Sequence, residues 1–217
     1  MVTKMVSFDD MDPKNFDGVL LDLDDTLYRY DPCNQAATRA CFEHYDFNFS
    51  WVQFHRAYRS ARTEVTKLLA PQAACRSRLF AFQAMAEKAS IANPYVVAIT
   101  LEEIYWKHFI EMMNVDQKAF DFLVRCKRMQ VPTCVVTDMT ANIQIKKITR
   151  LGLNPYIDHL VTSEEVGAEK PDSRMFQRAA SKLDAEVDRC LMIGDSKSKD
   201  VEGALAVGMT SQLISLY

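Results

Sequence analysis

The stretch Val19-Leu20-Leu21-Asp22-Leu23-Asp24-Asp25-Thr26-Leu27 is an apolar run that ends in closely spaced carboxylates, with a hydroxyl directly behind them. Two ionised carboxylates that close repel each other, so they are tolerable only with a cation between them or with one held protonated. As a strand, the run would aim Asp22 and Asp24 the same way from its carboxyl end, where open α/β sheets bind ligands. The plainer alternative is a strand running into a polar turn, because Asp is also a common turn residue.

Working outward, short apolar runs that read as strands recur at Gly18–Leu23, Val131–Thr137, Ile157–Val161, Cys190–Ile193 and Gln212–Ile214. Helical patterns at Ala141–Leu151, Ser173–Leu183 and Lys199–Ala206 alternate with the later strands. This alternation predicts an α/β fold with a doubly wound, Rossmann-like, mostly parallel sheet. About a hundred residues separate the first two strands, and their patterns are helical: Cys33–Tyr45, Trp51–Leu69, Cys75–Ser90 and Leu101–Met113, with Asp116–Met129 leading back into the sheet. Ser50 and Thr100 are candidate N-caps, and Pro71 and Asn93-Pro94 mark breaks. The expected division is a core of residues 1–29 and 115–217 with an all-helical insert at 30–114.

Composition bounds the function classes. A 217-residue chain with 48% hydrophobic and 25% charged residues is ordinary globular material, and a net charge of −3 offers no global basic field for nucleic acid. No run of 18 apolar residues and no leader-like start appears, so a soluble cytoplasmic protein that contacts no membrane is expected, with its oligomeric state left open. The six cysteines lack the paired spacing of a zinc site, and Cys134 and Cys190 fall in strand-like runs as buried thiols.

Three further polar signals fall at predicted strand ends or on the loops behind them. Val135-Val136-Thr137-Asp138-Met139-Thr140 brings a hydroxyl to a helix start, where backbone N–H groups hold phosphate; Thr140 also reads as an N-cap. Glu169-Lys170-Pro171 precedes a helix with Pro171 placed in its first turn, and Lys170 alone would be a solvated side chain. Leu191-Met192-Ile193-Gly194-Asp195 ends a strand at a carboxylate, Gly194 allows close backbone approach to a ligand, and Asp200 follows as ligand or helix cap. Carboxylates, a hydroxyl and an ammonium gathered in one crevice read as a Mg²⁺ and phosphate site.

In order, these segments resemble the four motifs of the haloacid dehalogenase superfamily, and with the helical insert between the first and second they span nearly the whole chain. The resemblance implies a Mg²⁺-dependent phosphatase of a small phosphorylated metabolite, with the insert as a cap. It implies Asp22 as nucleophile forming an aspartyl-phosphate, Asp24 as acid and then base, Thr26 and Thr137 holding Asp22 and the phosphoryl group, and Lys170 offsetting charge. It implies Mg²⁺ held by Asp22, the backbone carbonyl of Asp24 and Asp195, with Asp200 supporting. The dehalogenases carry a bulky aromatic at the position of Asp24, which favours phosphate over haloacid. A phosphomutase of the same family and a non-catalytic binding module are the alternatives.

Where many relatives carry Asn, this chain has Asp138, which would repel phosphate unless turned away or neutralised. It is expected to cap a helix or to face the insert and select substrate. Asp25 is expected to be a solvated turn residue. In the insert, Arg56, Arg59, Arg62, Lys67, Arg76 and Arg78 form runs that are either a solvated face or a second anion site. Tyr28, Arg29 and Tyr30 are candidates for the cleft mouth, and Phe80, Phe82, Trp106 and Phe109 for helix packing.

Overall fold

A computed structural model describes residues 5–217. The chain divides into two compact units, one built from the N-terminal segment through Tyr30 together with Asn114–Tyr217, the other from Asp31–Met113.

The first unit is a five-stranded, wholly parallel sheet: β1 (Gly18–Leu21), β2 (Thr133–Thr137), β3 (His159–Thr162), β4 (Cys190–Gly194) and β5 (Thr210–Leu213), in the order β3-β2-β1-β4-β5. Every residue of β1, β2 and β4 is buried, as expected of inner parallel strands covered on both faces, and this is why they read as continuous apolar runs. After β1 and β2 the chain moves to one side of β1, and after β4 to the other. The topological switch point therefore lies between β1 and β4, and a crevice opens at their carboxyl ends.

Two helices position the site. Helix α8 (Ser173–Leu183) lays Met175, Phe176, Ala179, Ala180 and Leu183 over Leu20, Cys134, Val136, Cys190 and Met192, the alternate residues of one sheet face. Helix α6 (Ala141–Arg150) follows β2; Thr140 stands at its N-cap position, but its hydroxyl makes no cap bond, and the Ala141 N–H donates instead to Glu164 of the short α7 (Ser163–Val166). Pro171 lies one residue before the Asp172 N-cap of α8 rather than inside the first turn. The last predicted helix is two elements: a wide π-type turn over Lys197–Val201 and then α9 (Glu202–Ala206). β1 ends at Leu21, two residues short of the expected boundary.

No residue from 31 to 113 is in a strand. α1 (Tyr30–His44), α2 (Trp51–Leu69), α3 (Arg78–Lys88) and α4 (Pro94–Glu111) form the second unit around packed rings, with Tyr58 stacked on Phe82 at 4.7 Å and Tyr105 edge-on to Phe82 at 6.0 Å. Ser50 caps α2 through a reciprocal pair with Gln53. Thr100 is not a cap: α4 starts at Pro94, behind Asn93 in the left-handed conformation, and Thr100 donates its hydroxyl proton to Val96 O in the second turn. Phe82, Trp106 and Phe109 are buried packing residues, whereas Phe80 is exposed. The arginine runs divide: Arg56, Arg59 and Lys67 are exposed, while Arg78 is buried, its guanidinium over the rings of Tyr105 and Trp106. In the first unit, α5 (Gln117–Arg128) returns the chain to β2 behind an Asp116 cap.

Truncating Leu20 at the centre of the core face tests this packing. Leu20→Ala is expected to cost about 2–5 kcal/mol in urea-induced unfolding, the range for emptying a fully enclosed leucine site.

Candidate active site

The Asp22 N–H donates to Ile193 O at 2.9 Å, fixing the residue one step beyond β1 at the switch point. Its carboxylate accepts from Lys170 Nζ at 2.6 Å, and the same ammonium donates to Asp200 Oδ1 at 2.6 Å. All three side chains are nearly or fully buried. Asp195, which follows β4 and reaches solvent, completes a carboxylate set with Asp22 and Asp200 whose oxygens lie within 4.8 Å of one another. Asp200 is not a helix cap: its second oxygen accepts from the Ser196 N–H at 2.9 Å.

Gly194 makes this arrangement possible in a way the sequence reading did not foresee. A Cβ on Gly194 would sit 2.3 Å from Asp200 Cγ, so the glycine admits the Asp200 carboxylate rather than a ligand.

One ammonium faces three carboxylates, and the protonation equilibria show the imbalance. Burial raises the Asp22 pKa well above the ordinary range; Lys170 opposes that rise, and Asp200 and Asp24 add to it. Asp195 is pushed up to about 6 by partial burial and by the charges of Asp200 and Asp25. For Lys170, burial would lower the pKa, but the charges of Asp200, Asp22 and Asp138 prevail and hold it above its ordinary value. A hard divalent cation fits this donor set: it would meet only carboxylate oxygens and supply the missing positive charge.

Asp24 does not join the carboxylate set. Beyond Leu21 the strand alternation no longer holds, and Asp24 Oδ1 accepts from Lys147 Nζ at 2.7 Å and from the Tyr28 hydroxyl. Tyr28 is fully buried, not at a surface mouth, and Arg29 is exposed with its guanidinium over the Tyr217 ring. Asp25 is a left-handed turn residue whose carboxylate accepts from the Tyr30 N–H and the Tyr217 hydroxyl. Thr26 is buried, but its hydroxyl has no hydrogen-bond partner among the described residues, so it does not hold Asp22 here.

At the end of β2, the Thr137 hydroxyl accepts from Gln144 Nε2 at 2.6 Å, which leaves its own proton for an acceptor such as a phosphoryl oxygen. Asp138 neither caps α6 nor is left charged and alone. Its carboxylate accepts from the Lys170 N–H at 2.9 Å and pairs with Lys199 Nζ at 2.5 Å, so the expected repulsion of phosphate is neutralised within the site.

Sequence reasoning missed Lys147, Gln144 and Lys199, and it placed Tyr28 at the cleft mouth rather than against Asp24. For the first two a signal existed: Ile143, Gln144, Lys147 and Ile148 share the buried face of α6, and polar residues at core-face positions need partners. Lys199 sits in an all-polar run, where nothing distinguishes it.

Comparison with known proteins adds the family. Residues 16–208 match the model of the haloacid dehalogenase-like hydrolases. The chain is similar to the ribulose-1,5-bisphosphate 5-phosphatase of Halopiger xanaduensis, 36% identical over 198 residues, 90% of this chain and 83% of that one. It is 24% identical over 194 residues to the glyceraldehyde 3-phosphate phosphatase of Methanocaldococcus jannaschii, covering 88% and 82%. Among solved structures, YfnB of Bacillus subtilis bound to magnesium superposes with a TM-score of 0.72 at 20% identity, over 94% of this chain and 93% of that one. The 2-haloacid dehalogenase of Pseudomonas syringae gives 0.71 at 21%, over 89% and 84%. At these identities the structural likeness speaks for the fold alone.

Two predictions follow from the geometry. Gly194→Ala is expected to displace Asp200, costing about 1–3 kcal/mol in a urea melt, the usual scale of overpacking, and weakening Mg²⁺ binding measured by calorimetry. The second concerns pH. Asp22 and Asp195 hold protons more tightly folded than unfolded, so their contribution to metal-free stability is full below the unfolded pKa of about 4 and is lost at higher pH, for Asp195 as pH rises through about 6. The rise in melting temperature on adding Mg²⁺ is therefore expected to be larger at about pH 7.5 than at about pH 5, read by scanning calorimetry; equal rises would count against a cation at these carboxylates.

The chain belongs to the haloacid dehalogenase-like hydrolases.

Proposed function

We propose that this hydrolase is a Mg²⁺-dependent phosphatase that cleaves the phosphomonoester of a small cytoplasmic metabolite through an aspartyl-phosphate on Asp22. The observation that carries the reading is the Asp22 carboxylate buried against Lys170 at the switch point, with Asp195 and Asp200 beside it. Relatives named as phosphatases of ribulose-1,5-bisphosphate and glyceraldehyde 3-phosphate support a phosphorylated sugar or triose as substrate. The six buried free thiols suit a reducing compartment, and no helix among the described residues is long and apolar enough to cross a membrane.

In this reading a carboxylate oxygen of Asp22 attacks phosphorus while the bond to the leaving oxygen breaks, and Asp24 gives that oxygen its proton. Asp24 then takes a proton from water, the resulting hydroxide attacks phosphorus, and inorganic phosphate leaves with Asp22 restored. Lys170 offsets charge on Asp22 and the transferring group, and the Thr137 hydroxyl donates to a phosphoryl oxygen. Asp22, the Asp24 carbonyl and Asp195, with Asp200 supporting, would hold Mg²⁺, whose positive charge keeps Asp22 ionised and draws the phosphate in. The helical unit, inserted between the first and second site segments, is read as the cap that selects substrate.

Inorganic phosphate release from a panel of phosphorylated sugars and trioses, with Mg²⁺ or with chelator, tests this. Release is expected only with the metal, and Asp22→Asn is expected to lower it by roughly 10³-fold or more, the scale of losing a nucleophile. No release from any panel member by the folded, Mg²⁺-binding protein would overturn the reading, and phosphoryl transfer to a second sugar would replace it with a mutase.

A further inference from the structure

Lys147 is a lysine without any solvent exposure, and a buried ammonium persists only when its charge is met. It is met by Asp24, whose Oδ1 accepts from Lys147 Nζ at 2.7 Å. The Tyr28 hydroxyl donates to the same oxygen, and the Lys147 ammonium stands 5.8 Å from the centre of the Tyr28 ring. Three groups from two segments, the turn after β1 and the second turn of α6, thus meet at one carboxylate oxygen. The other polar residue on this buried face of α6 is Gln144, which holds the Thr137 hydroxyl.

We propose that Lys147 and Tyr28 form a clamp that positions Asp24 for proton transfer to the leaving oxygen. The inference rests on the phosphatase reading above, in which Asp24 carries that proton. Oδ1 already accepts from two donors, so in the acid form of Asp24 the proton belongs on Oδ2. The clamp fixes the plane of the carboxyl group and hence the direction in which Oδ2 presents its proton. Both act through Asp24 and are positioning residues. General acid catalysis depends on geometry before acidity, so a carboxyl group free to rotate would lose much of its effect.

The test separates leaving groups that need a proton from those that do not. For the full chain with Mg²⁺, kcat/KM is measured on the preferred alkyl phosphoester and on p-nitrophenyl phosphate, whose nitrophenolate departs unprotonated. kcat/KM covers the steps through departure of the leaving group. In Lys147→Met it is expected to fall by about 10-fold or more for the alkyl ester, within the range that general acid catalysis contributes, and by less than about 3-fold for the nitrophenyl ester. Lys147→Arg is expected to restore part of the alkyl activity, and the inhibition constant of inorganic phosphate is expected to stay unchanged. A variant that merely loosens the fold would lower both substrates together, and that parallel loss, or no loss at all, overturns the clamp. If Lys147→Met fails to fold, Tyr28→Phe, which removes one hydroxyl, carries the same comparison: a smaller shift of the ratio in the same direction supports the clamp and an unchanged ratio overturns it. Wild-type chain inactive on both esters defeats the phosphatase reading itself, whereas active wild type with unshifted variants defeats the clamp alone.

Discussion

Everything in the site is arranged around one ammonium group that the protein has removed from water. Lys170 lies between Asp22 and Asp200, each 2.6 Å away, in a region where ions are tolerated only when paired and hydrogen-bonded. Removing either carboxylate would leave the buried ammonium with one partner instead of two, which ties β1, the turn after β4 and the loop before α8 into one electrostatic unit. The parallel sheet sets the spacing. β1 and β4 are neighbours at the usual inter-strand distance of about 4.8 Å, so residues just past their ends hold carboxylates side by side. Gly194 then lets Asp200 close the triangle from behind.

That unit, one ammonium among three carboxylates, is two positive charges short when all are ionised. Two of its carboxylates are pushed toward their protonated forms, an unhelpful state for a nucleophile and a favourable one for recruiting a cation. The polar residues around it are engaged with one another: Thr137 with Gln144, Asp138 with Lys199, Asp24 with Lys147 and Tyr28. Apart from the Thr26 hydroxyl and Gln144 Oε1, both buried without a hydrogen-bond partner among the described residues, the polar shell is already satisfied. Such a shell is stiff, and stiffness at the reacting groups is what phosphoryl transfer asks of a protein.

The sheet was legible because inner parallel strands must be apolar throughout, which makes β1, β2 and β4 stand out as runs bounded by polar residues. Asp22, Thr137 and Asp195 stood out as candidates for the same reason, since each lies at or just past the end of such a run, whereas Lys170 stood out only in their company. Boundaries failed where short-range geometry decides. Thr100 looked like a cap because a hydroxyl precedes an apolar pattern, while Pro94, six residues earlier, had already set the helix in motion. The partners of the site residues were the least legible. Lys147 and Asp24 are separated by 123 residues and Lys199 and Asp138 by 61, and their contacts exist only once the sheet has brought the chain back on itself. The lone available hint was the pair of polar residues on the inward face of α6.

The Asp138–Lys199 pair has a consequence for how sequences of this kind drift. With both residues in place the local charge sums to zero; with Asn at 138 and Lys at 199 the pocket gains a cation, and with Asp at 138 and a neutral residue at 199 it gains an anion beside the phosphate position. The two single steps are therefore unequal in their effect on an incoming dianion, one attractive and one repulsive. A lineage passing from Asp to Asn would cross with least loss by changing position 138 first, after which Lys199, left with Glu169 at 3.7 Å as its ion partner, is open to selection by the substrate.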